Sequence, residues 1–302
     1  MANKVLFMGT PPFATNVFKT LINNNYDIVA LYTQPDKKVG RKQLLTYPHI
    51  KQYCVNSNIN IKIYQPLDLK DSLFDINSLK PDFIVVVAYG QILPQNILSI
   101  APCINLHASI LPLYRGAIPI QQAVLNDDKY TGVTAMLMEA GLDSGDMLSC
   151  HYIKIDDKNS VELFDKLSLI ASDLIVYVLN NFVRIKPKKQ LQTSATYCAK
   201  ITKQHGKISF ENSFDIYNKF KAYKGWPGIF TKNGLKIISC DIDDKNTKNK
   251  KAKIVDIQKQ YIKVACTNGV LTIYEVQPIG KKPMNCADYC RGKRLKEGDI
   301  FE

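Results

Sequence analysis

Short apolar runs alternate with amphipathic stretches through the first half of the chain. Runs at 4–8, 28–32, 83–88 and 103–107 have strand length, and 13–24, 48–56 and 119–125 repeat their apolar positions at helical spacing. This alternation predicts an α/β domain on a mainly parallel sheet, because parallel strands need a crossover and a helix usually supplies it. Ile84-Val85-Val86-Val87 is apolar without a break, as a strand covered on both faces should be. Further strands are expected at 131–139 and 148–155, bridged by a polar turn containing glycine. Residues 160–182 carry a broad apolar stripe that includes Val161, Phe164, Leu167, Leu174 and Val178 and predicts a long helix.

The pattern changes near residue 184. Residues 184–204 have weak periodicity, contain Pro187 and the cations Arg184, Lys186, Lys188, Lys189, Lys200 and Lys203, and read as a basic linker between domains. Beyond it a helix is expected at 213–223, followed by short β runs at 235–240, 252–257, 261–266 and 270–276. Lys- and Asn-rich turns separate these runs, especially 243–251. Short strands punctuated by turn signals predict a small closed β-barrel. The organisation expected is a first domain over 1–183, the linker over 184–204 and a second domain over 205–302.

Composition adds three constraints. At 302 residues, with 46% hydrophobic and 22% charged content, the chain is that of a globular protein long enough for two cores. No apolar run approaches the ~18 residues of a membrane span. Val5-Leu6-Phe7-Met8, stopped by Gly9 and two prolines, is too short for a signal-peptide core, so a cytoplasmic protein is expected, taken as a monomer. The eight cysteines include no Cys-x-x-Cys pair, so structural zinc spacing is missing and free thiols are expected. Cys286 and Cys290 can share a helix face, but no second ligand pair accompanies them. The formal charge of +13 favours polyanionic partners. From His205 onward there are 19 lysines and arginines against 11 acidic residues, a net of +8, whereas the first 204 residues hold 21 against 16, or +5. The smaller segment is the more basic one.

Candidate chemistry concentrates between Asn105 and Asp146. Period-2 alternation puts Asn105, His107 and Ser109 on one face of their strand, with Ile104, Leu106 and Ala108 on the other. An amide, an imidazole and a hydroxyl thus converge at the carboxyl end of a parallel strand, where open α/β sheets bind ligands. The turn Gly141-Leu142-Asp143-Ser144-Gly145-Asp146 lacks the spacing and terminal Glu of a calcium loop, and no metal-ligand cluster is visible. Asp143 can orient the imidazole and relay a proton. Amide, histidine and carboxylate together suit attack of an amine on a carbonyl, which needs an oxyanion donor and a base but no nucleophilic side chain. Gly9-Thr10-Pro11-Pro12 stands where a dinucleotide fingerprint would, yet it is not G-x-G-x-x-G, so a nicotinamide cofactor is disfavoured.

These residues carry a resemblance. Asn105-Leu106-His107-Ala108-Ser109-Ile110-Leu111-Pro112, Tyr114-Arg115-Gly116-Ala117 and Gly141 to Asp146 resemble the signature of the formyltetrahydrofolate-dependent formyltransferases. Gly9-Thr10-Pro11-Pro12-Phe13-Ala14, Gln34-Pro35-Asp36, Gly40-Arg41, Ala88-Tyr89-Gly90, Tyr197 with Lys200-Ile201, Trp226-Pro227-Gly228, Glu275-Val276-Gln277-Pro278 and Gly280-Lys281-Lys282 extend it over nearly the whole chain. The later motifs resemble the family's tRNA-modifying branch.

The resemblance implies a Rossmann-like catalytic domain followed by an OB-like barrel that holds tRNA. It implies 10-formyltetrahydrofolate as co-substrate, no metal, and the α-amino group of methionine on charged initiator tRNA as acceptor. Asn105 and His107 would polarise the formyl group and stabilise the oxyanion, Asp143 would keep His107 in its working state, and Ser109, Ile110, Leu111 and Pro112 would line the folate pocket. Arg41 and Lys42 of the 34–45 loop, with Lys207, Lys281, Lys282, Arg291, Lys293 and Arg294, are the tRNA-binding candidates. Gln43, Leu44 and Leu113 stand where basic residues are common in the family, and Tyr114 where tryptophan is. Trp226 is read as an anchor of the second domain's core beside Pro227, with base stacking as the alternative. Two other functions compete: the same chemistry on a purine-pathway ribonucleotide or amino sugar, and nucleic-acid binding on a catalytically dead scaffold.

Overall fold

A computed structural model describes residues 3–40 and 42–301. Two compact units result. One comprises Met1–Pro119, Tyr130–Lys154 and Glu162–Ala199, the other Ile120–Lys129, Ile155–Val161 and Lys200–Glu302.

The first unit is built on a seven-stranded sheet, counted among the described residues. Its strands are β1 (Lys4–Gly9), β2 (Asp27–Tyr32), β3 (Ile63–Tyr64), β4 (Phe83–Val87), β5 (Cys103–His107), β6 (Tyr130–Leu137) and β7 (Met147–Lys154). The spatial order is β7-β6-β5-β4-β1-β2-β3. The ladders from β3 to β5 are parallel, and β6 and β7 add antiparallel pairs at one side. The four central strands fall where the alternating pattern predicts them, because they are buried on both faces. Leu6, Met8, Ala30, Tyr32, Ile84 and Val86 form one core with Leu69, Ile76, Leu93 and Ile97. On the other face Phe7 meets Phe18 of α1 (Pro12–Asn23) edge-on at 5.3 Å, and Phe13 meets Phe164 of a 22-residue helix, Ser160–Asn181, at the same distance. Those of these apolar side chains that are fully buried contribute about 1.5–3 kcal/mol each.

The stretch 184–204, expected as a linker, is structured with the first unit as far as Ala199. Met147 and Lys188 exchange backbone hydrogen bonds of 2.8 and 2.9 Å, and Tyr197–Cys198 pairs in parallel with Arg115–Gly116. These pairings give the segment backbone partners despite its weak periodicity. A two-stranded hairpin, Lys37–Val39 with Leu44–Thr46, occupies the 34–45 loop, where a charged loop without strands is the natural reading. All six of its strand residues are exposed, so burial leaves no periodic trace.

The second unit carries an antiparallel sheet of β8 (Ile229–Phe230), β9 (Lys236–Lys248), β10 (Ile254–Ile257), β11 (Ile262–Ala265), β12 (Asn268–Gln277) and β13 (Met284–Asn285). The order is β8-β9-β12-β11-β10, with β13 on β12. A closed barrel is expected from the sequence, but no ladder among the described residues joins β8 to β10. Other backbone covers both edges instead: Ile208 N–H donates to the Phe230 carbonyl (2.9 Å), and Ile254 N–H donates to that of Asp299 (2.9 Å). Covered edges satisfy the same need to hide unpaired peptide groups as closure would. β9 runs on through residues 243–248, part of the turn expected at 243–251, because its ladder to β12 continues to Lys248–Asn268.

Candidate functional site

β5 sets the site. It lies between β4 and β6, with Asn105 opposite Val86 and Met136 and His107 opposite Thr134. Both polar side chains are buried, Asn105 with 9% and His107 with 6% of its surface exposed. After β5 the chain turns sharply. Ser109 Oγ donates to the Leu113 carbonyl (2.6 Å), Thr134 Oγ1 donates to the Ser109 carbonyl (2.7 Å), and Leu111 N–H donates to Thr134 Oγ1 (3.2 Å). The Leu111–Pro112 peptide is cis. Of the four residues expected to line a folate pocket, Ser109 and Leu111 are buried within this loop, while Ile110 and Pro112 keep part of their surface.

Asp143 reaches the same place from the turn after β6. Asn105 Nδ2 donates to Asp143 Oδ1 at 3.4 Å, the Gly116 N–H donates to Oδ2 at 2.8 Å, and His107 Nδ1 lies 3.6 Å from Oδ2. The three residues singled out from the sequence are therefore brought together. The other ring nitrogen, His107 Nε2, is 2.9 Å from the Tyr114 carbonyl. A carbonyl only accepts, so Nε2 carries the proton and Nδ1 is left facing the carboxylate. Asn105 has a second amide proton without a partner among the described residues.

Residues outside the predicted catalytic trio hold this cluster in place. Arg115 is 1% exposed. Its Nε and Nη2 donate to Gln190 Oε1 at 3.0 and 2.7 Å, and its Nη1 donates to Gln192 Oε1 at 2.8 Å and to the Tyr197 hydroxyl at 3.3 Å. Gln190 Nε2 donates in turn to the carbonyls of Asp143 (2.9 Å) and Gly145 (2.8 Å). Gly116 has φ +115°, and a Cβ there would run into the Cys198 carbonyl. Gly145 has no room either, since a Cβ would strike the carbonyl of Leu137. Burial, followed by the negative charge of Asp143, pushes the Cys198 thiol above its ordinary pKa. The protonated thiol donates to the same Tyr114 carbonyl that His107 uses, at 3.4 Å. A signal for Gln190 was absent from the sequence, because a lone Gln among lysines looks exposed until Arg115 is placed beside it.

The Gln34-Pro35-Asp36 and Ala88-Tyr89-Gly90 motifs meet beyond β2 and β4. Gln34 Nε2 donates to the Tyr89 carbonyl at 3.1 Å, and Asp36 accepts from Lys51 Nζ (2.7 Å) and Gln65 Nε2 (2.8 Å). Burial opposes ionisation of Asp36, but the hydrogen bonds from Lys51 and Gln65 outweigh it and hold the carboxyl below its ordinary pKa.

The basic candidates fall in two places. Lys42 is exposed in the hairpin, and Arg41 lies outside the described residues. In the second unit Lys207, Lys281, Lys282, Arg291, Lys293 and Arg294 are all exposed. Arg291 pairs with Asp288 on its own helix, Cys286–Lys293, which was not expected beyond the shared Cys286 and Cys290 face. Trp226 does not anchor the core: it is 58% exposed, and it follows Gly225, whose φ is +88°. All eight cysteines are free thiols. Among the described residues no three His, Cys, Asp or Glu side chains gather as a metal site would require, and no helix is long and apolar enough to cross a membrane.

Comparison with known proteins bears on both halves of the chain. The family model described as formyl transferase matches residues 3–179, and that of the formyl transferase C-terminal domain matches 200–294. A curated methionyl-tRNA formyltransferase from a Nitratiruptor species is 48% identical over 301 residues, covering 99% of each chain. Among solved structures, an N-formyltransferase from Helicobacter canadensis in complex with folinic acid and dTDP-3-aminofucose superposes with TM-score 0.68 at 18% identity, over 91% of this chain and 99% of that one. A methionyl-tRNA formyltransferase from Clostridium thermocellum gives TM-score 0.57 at 20% identity, over 80% of this chain and 94% of that one. At such identities the structural likeness establishes the fold alone.

Proposed function

The chain belongs to the formyl transferase family, on its methionyl-tRNA formyltransferase branch, and from that premise we propose that it moves the formyl group of 10-formyltetrahydrofolate onto the α-amino group of methionine esterified to initiator tRNA. The observation that carries this reading is the 48% identity spread over 99% of both chains. The catalytic half alone would leave the acceptor open, since a sugar N-formyltransferase shares its fold.

When bound, the folate supplies a formyl carbon open to attack by an amine. The polar cluster fits that group: Asn105 has an N–H to spare for an oxygen that gains negative charge. His107 Nδ1 is the ring nitrogen left for proton exchange, because Nε2 is committed to Tyr114, and Asp143 stands beside it. We assign Asn105 the role of oxyanion donor and the His107–Asp143 pair that of accepting the proton released by the amine. That proton then goes to N10 of the departing tetrahydrofolate as its bond to the formyl carbon breaks. Ile110 and Pro112 are assigned to the folate wall, with Ser109 and Leu111 shaping the loop behind them. Arg41 and Lys42, with Lys207, Lys281, Lys282, Arg291, Lys293 and Arg294, are assigned to tRNA phosphates. The protein would act as a cytoplasmic monomer.

The test is acceptor choice. Formyl-labelled 10-formyltetrahydrofolate is offered with methionyl-initiator tRNA, methionyl-elongator tRNA, free methionine and a dTDP-linked amino sugar. Label is expected on the initiator species. Label on the amino sugar with none on either tRNA refutes the reading.

A further inference from the structure

Gln190 is the side chain whose atoms are most fully committed between the buried cation and the acidic turn. It is 6% exposed. Oε1 receives two N–H groups of Arg115, and Nε2 gives protons to the carbonyls of Asp143 and Gly145. The direction of the amide is dictated by its neighbours, since a guanidinium only donates and carbonyls only accept. Arg115 is otherwise bonded by neutral oxygens, those of Gln192 and Tyr197. Gln190 thus joins a fixed point in the first unit to the backbone that carries Asp143.

That backbone needs holding. Asp143 has φ +48°, a left-handed conformation that is unfavourable for a non-glycine residue and persists only where surrounding contacts over-determine it. Its carboxylate is bonded by Asn105 and Gly116 and its carbonyl by Gln190. Of these, Gln190 alone acts on the peptide itself. The 3.6 Å between His107 Nδ1 and Oδ2 is therefore set partly by a residue that touches neither His107 nor the carboxylate.

We infer that Gln190 is a positioning residue for the proposed reaction, locking the Asp143 peptide so that the carboxylate stays opposite His107. The inference rests on the formyl-transfer reading only for what the site then does; the positioning is separately measurable. Gln190→Glu separates the two ends of the amide. A carboxylate still satisfies Arg115, but it has no proton for the Asp143 and Gly145 carbonyls and sets oxygen against oxygen there. Gln190→Ala removes both ends.

The experiment is a double-mutant cycle between Gln190→Glu and Asp143→Asn, read as kcat and KM for 10-formyltetrahydrofolate with charged initiator tRNA, beside the ring resonances of the four histidines at fixed pH. Gln190→Glu is expected to lower kcat about 10–100-fold, the scale of a displaced catalytic group, with KM changed less than threefold. On the Asp143→Asn background the same substitution should cost less than threefold in kcat, and Gln190→Glu alone should shift the His107 resonance. Equal losses on both backgrounds, or an unmoved His107 signal, overturn the inference. Gln190→Ala carries the same cycle should the glutamate variant not fold. If the unsubstituted protein formylates none of the acceptors, the function falls, and the His107 resonance still decides the positioning.

Discussion

At Asp143 the carboxylate and the peptide carbonyl are held by different parts of the chain: Asn105 and Gly116 on the first, Gln190 on the second. A carboxylate so anchored faces His107 Nδ1 without moving and stabilises the imidazolium formed when that nitrogen takes a proton, which is what preorganised acid–base catalysis requires. Asn105→Ala, His107→Ala and Asp143→Ala are each expected to lower turnover by ~10²–10⁴, or ~3–5 kcal/mol, with folate affinity retained. Near-normal turnover in any two would remove the trio from the chemistry. The thiols make a second test at this scale. Burial pushes Cys54 up to about 11 and Cys103 to about 12, and burial followed by the charge of Glu211 does the same for Cys266. A thiol whose folded pKa is raised stabilises the fold below its unfolded pKa of about 8.5, and that contribution is lost as pH climbs through the folded value. Melting temperature should therefore fall progressively from about pH 8.5 upward, and Cys54→Ser, Cys103→Ser and Cys266→Ser together should flatten the decline. An unchanged decline would assign it to other groups.

The elements that could be read from the sequence are those whose burial leaves a period. Val85, Ile104 and Val133 are fully buried in successive strands, and their runs announced the sheet. The exposed hairpin of Lys37–Val39 and Leu44–Thr46 left no such trace, and the helix Cys286–Lys293 buries only Cys286, Ala287 and Cys290. The site divides along the same line. Asn105, His107 and Asp143 were legible from residue type and alternation, whereas Arg115 and Gln190 are buried by tertiary pairing that no local pattern encodes. The two-residue pairing of Arg115–Gly116 with Tyr197–Cys198 is where that tertiary information concentrates. Gly116 both approaches the Cys198 carbonyl and gives its N–H to Asp143. Gly116→Ala should cost ~1–3 kcal/mol of stability through its positive φ and the lost approach. It should also lower turnover beyond the loss of folded protein, because the Asp143 N–H partner moves. Thermal melts beside kcat on the folded fraction check this, and turnover that merely tracks stability would make Gly116 a folding residue alone.

Charge is distributed over the whole molecule in a way that no single element explains. The last 98 residues hold a net +8 of the total +13, and five of the exposed cations there lie between Lys281 and Arg294. An enzyme that takes its acceptor as a polyanion gains affinity from each phosphate it neutralises, and log K then falls with log salt by ~0.9 per contact on a duplex. The five cations are not equivalent, however. Arg291 already pairs with Asp288, so part of its field is spent within its own helix. No carboxylate pairs with Lys281, Lys282, Lys293 or Arg294 among the described residues. Replacing Lys281 and Lys282 by Gln should therefore reduce the salt slope of tRNA affinity by ~1–2, and Arg291→Gln should reduce it least of the five. Formyl transfer at saturating tRNA should stay near that of the unsubstituted protein, because none of these residues belongs to the Asn105–Asp143 cluster. The measurement is tRNA affinity across a salt series from about 50 to about 300 mM for each variant. A slope that survives all five substitutions intact would mean that the cations between Lys281 and Arg294 do not hold the acceptor and that its phosphates meet Lys207 and the hairpin around Lys42 instead.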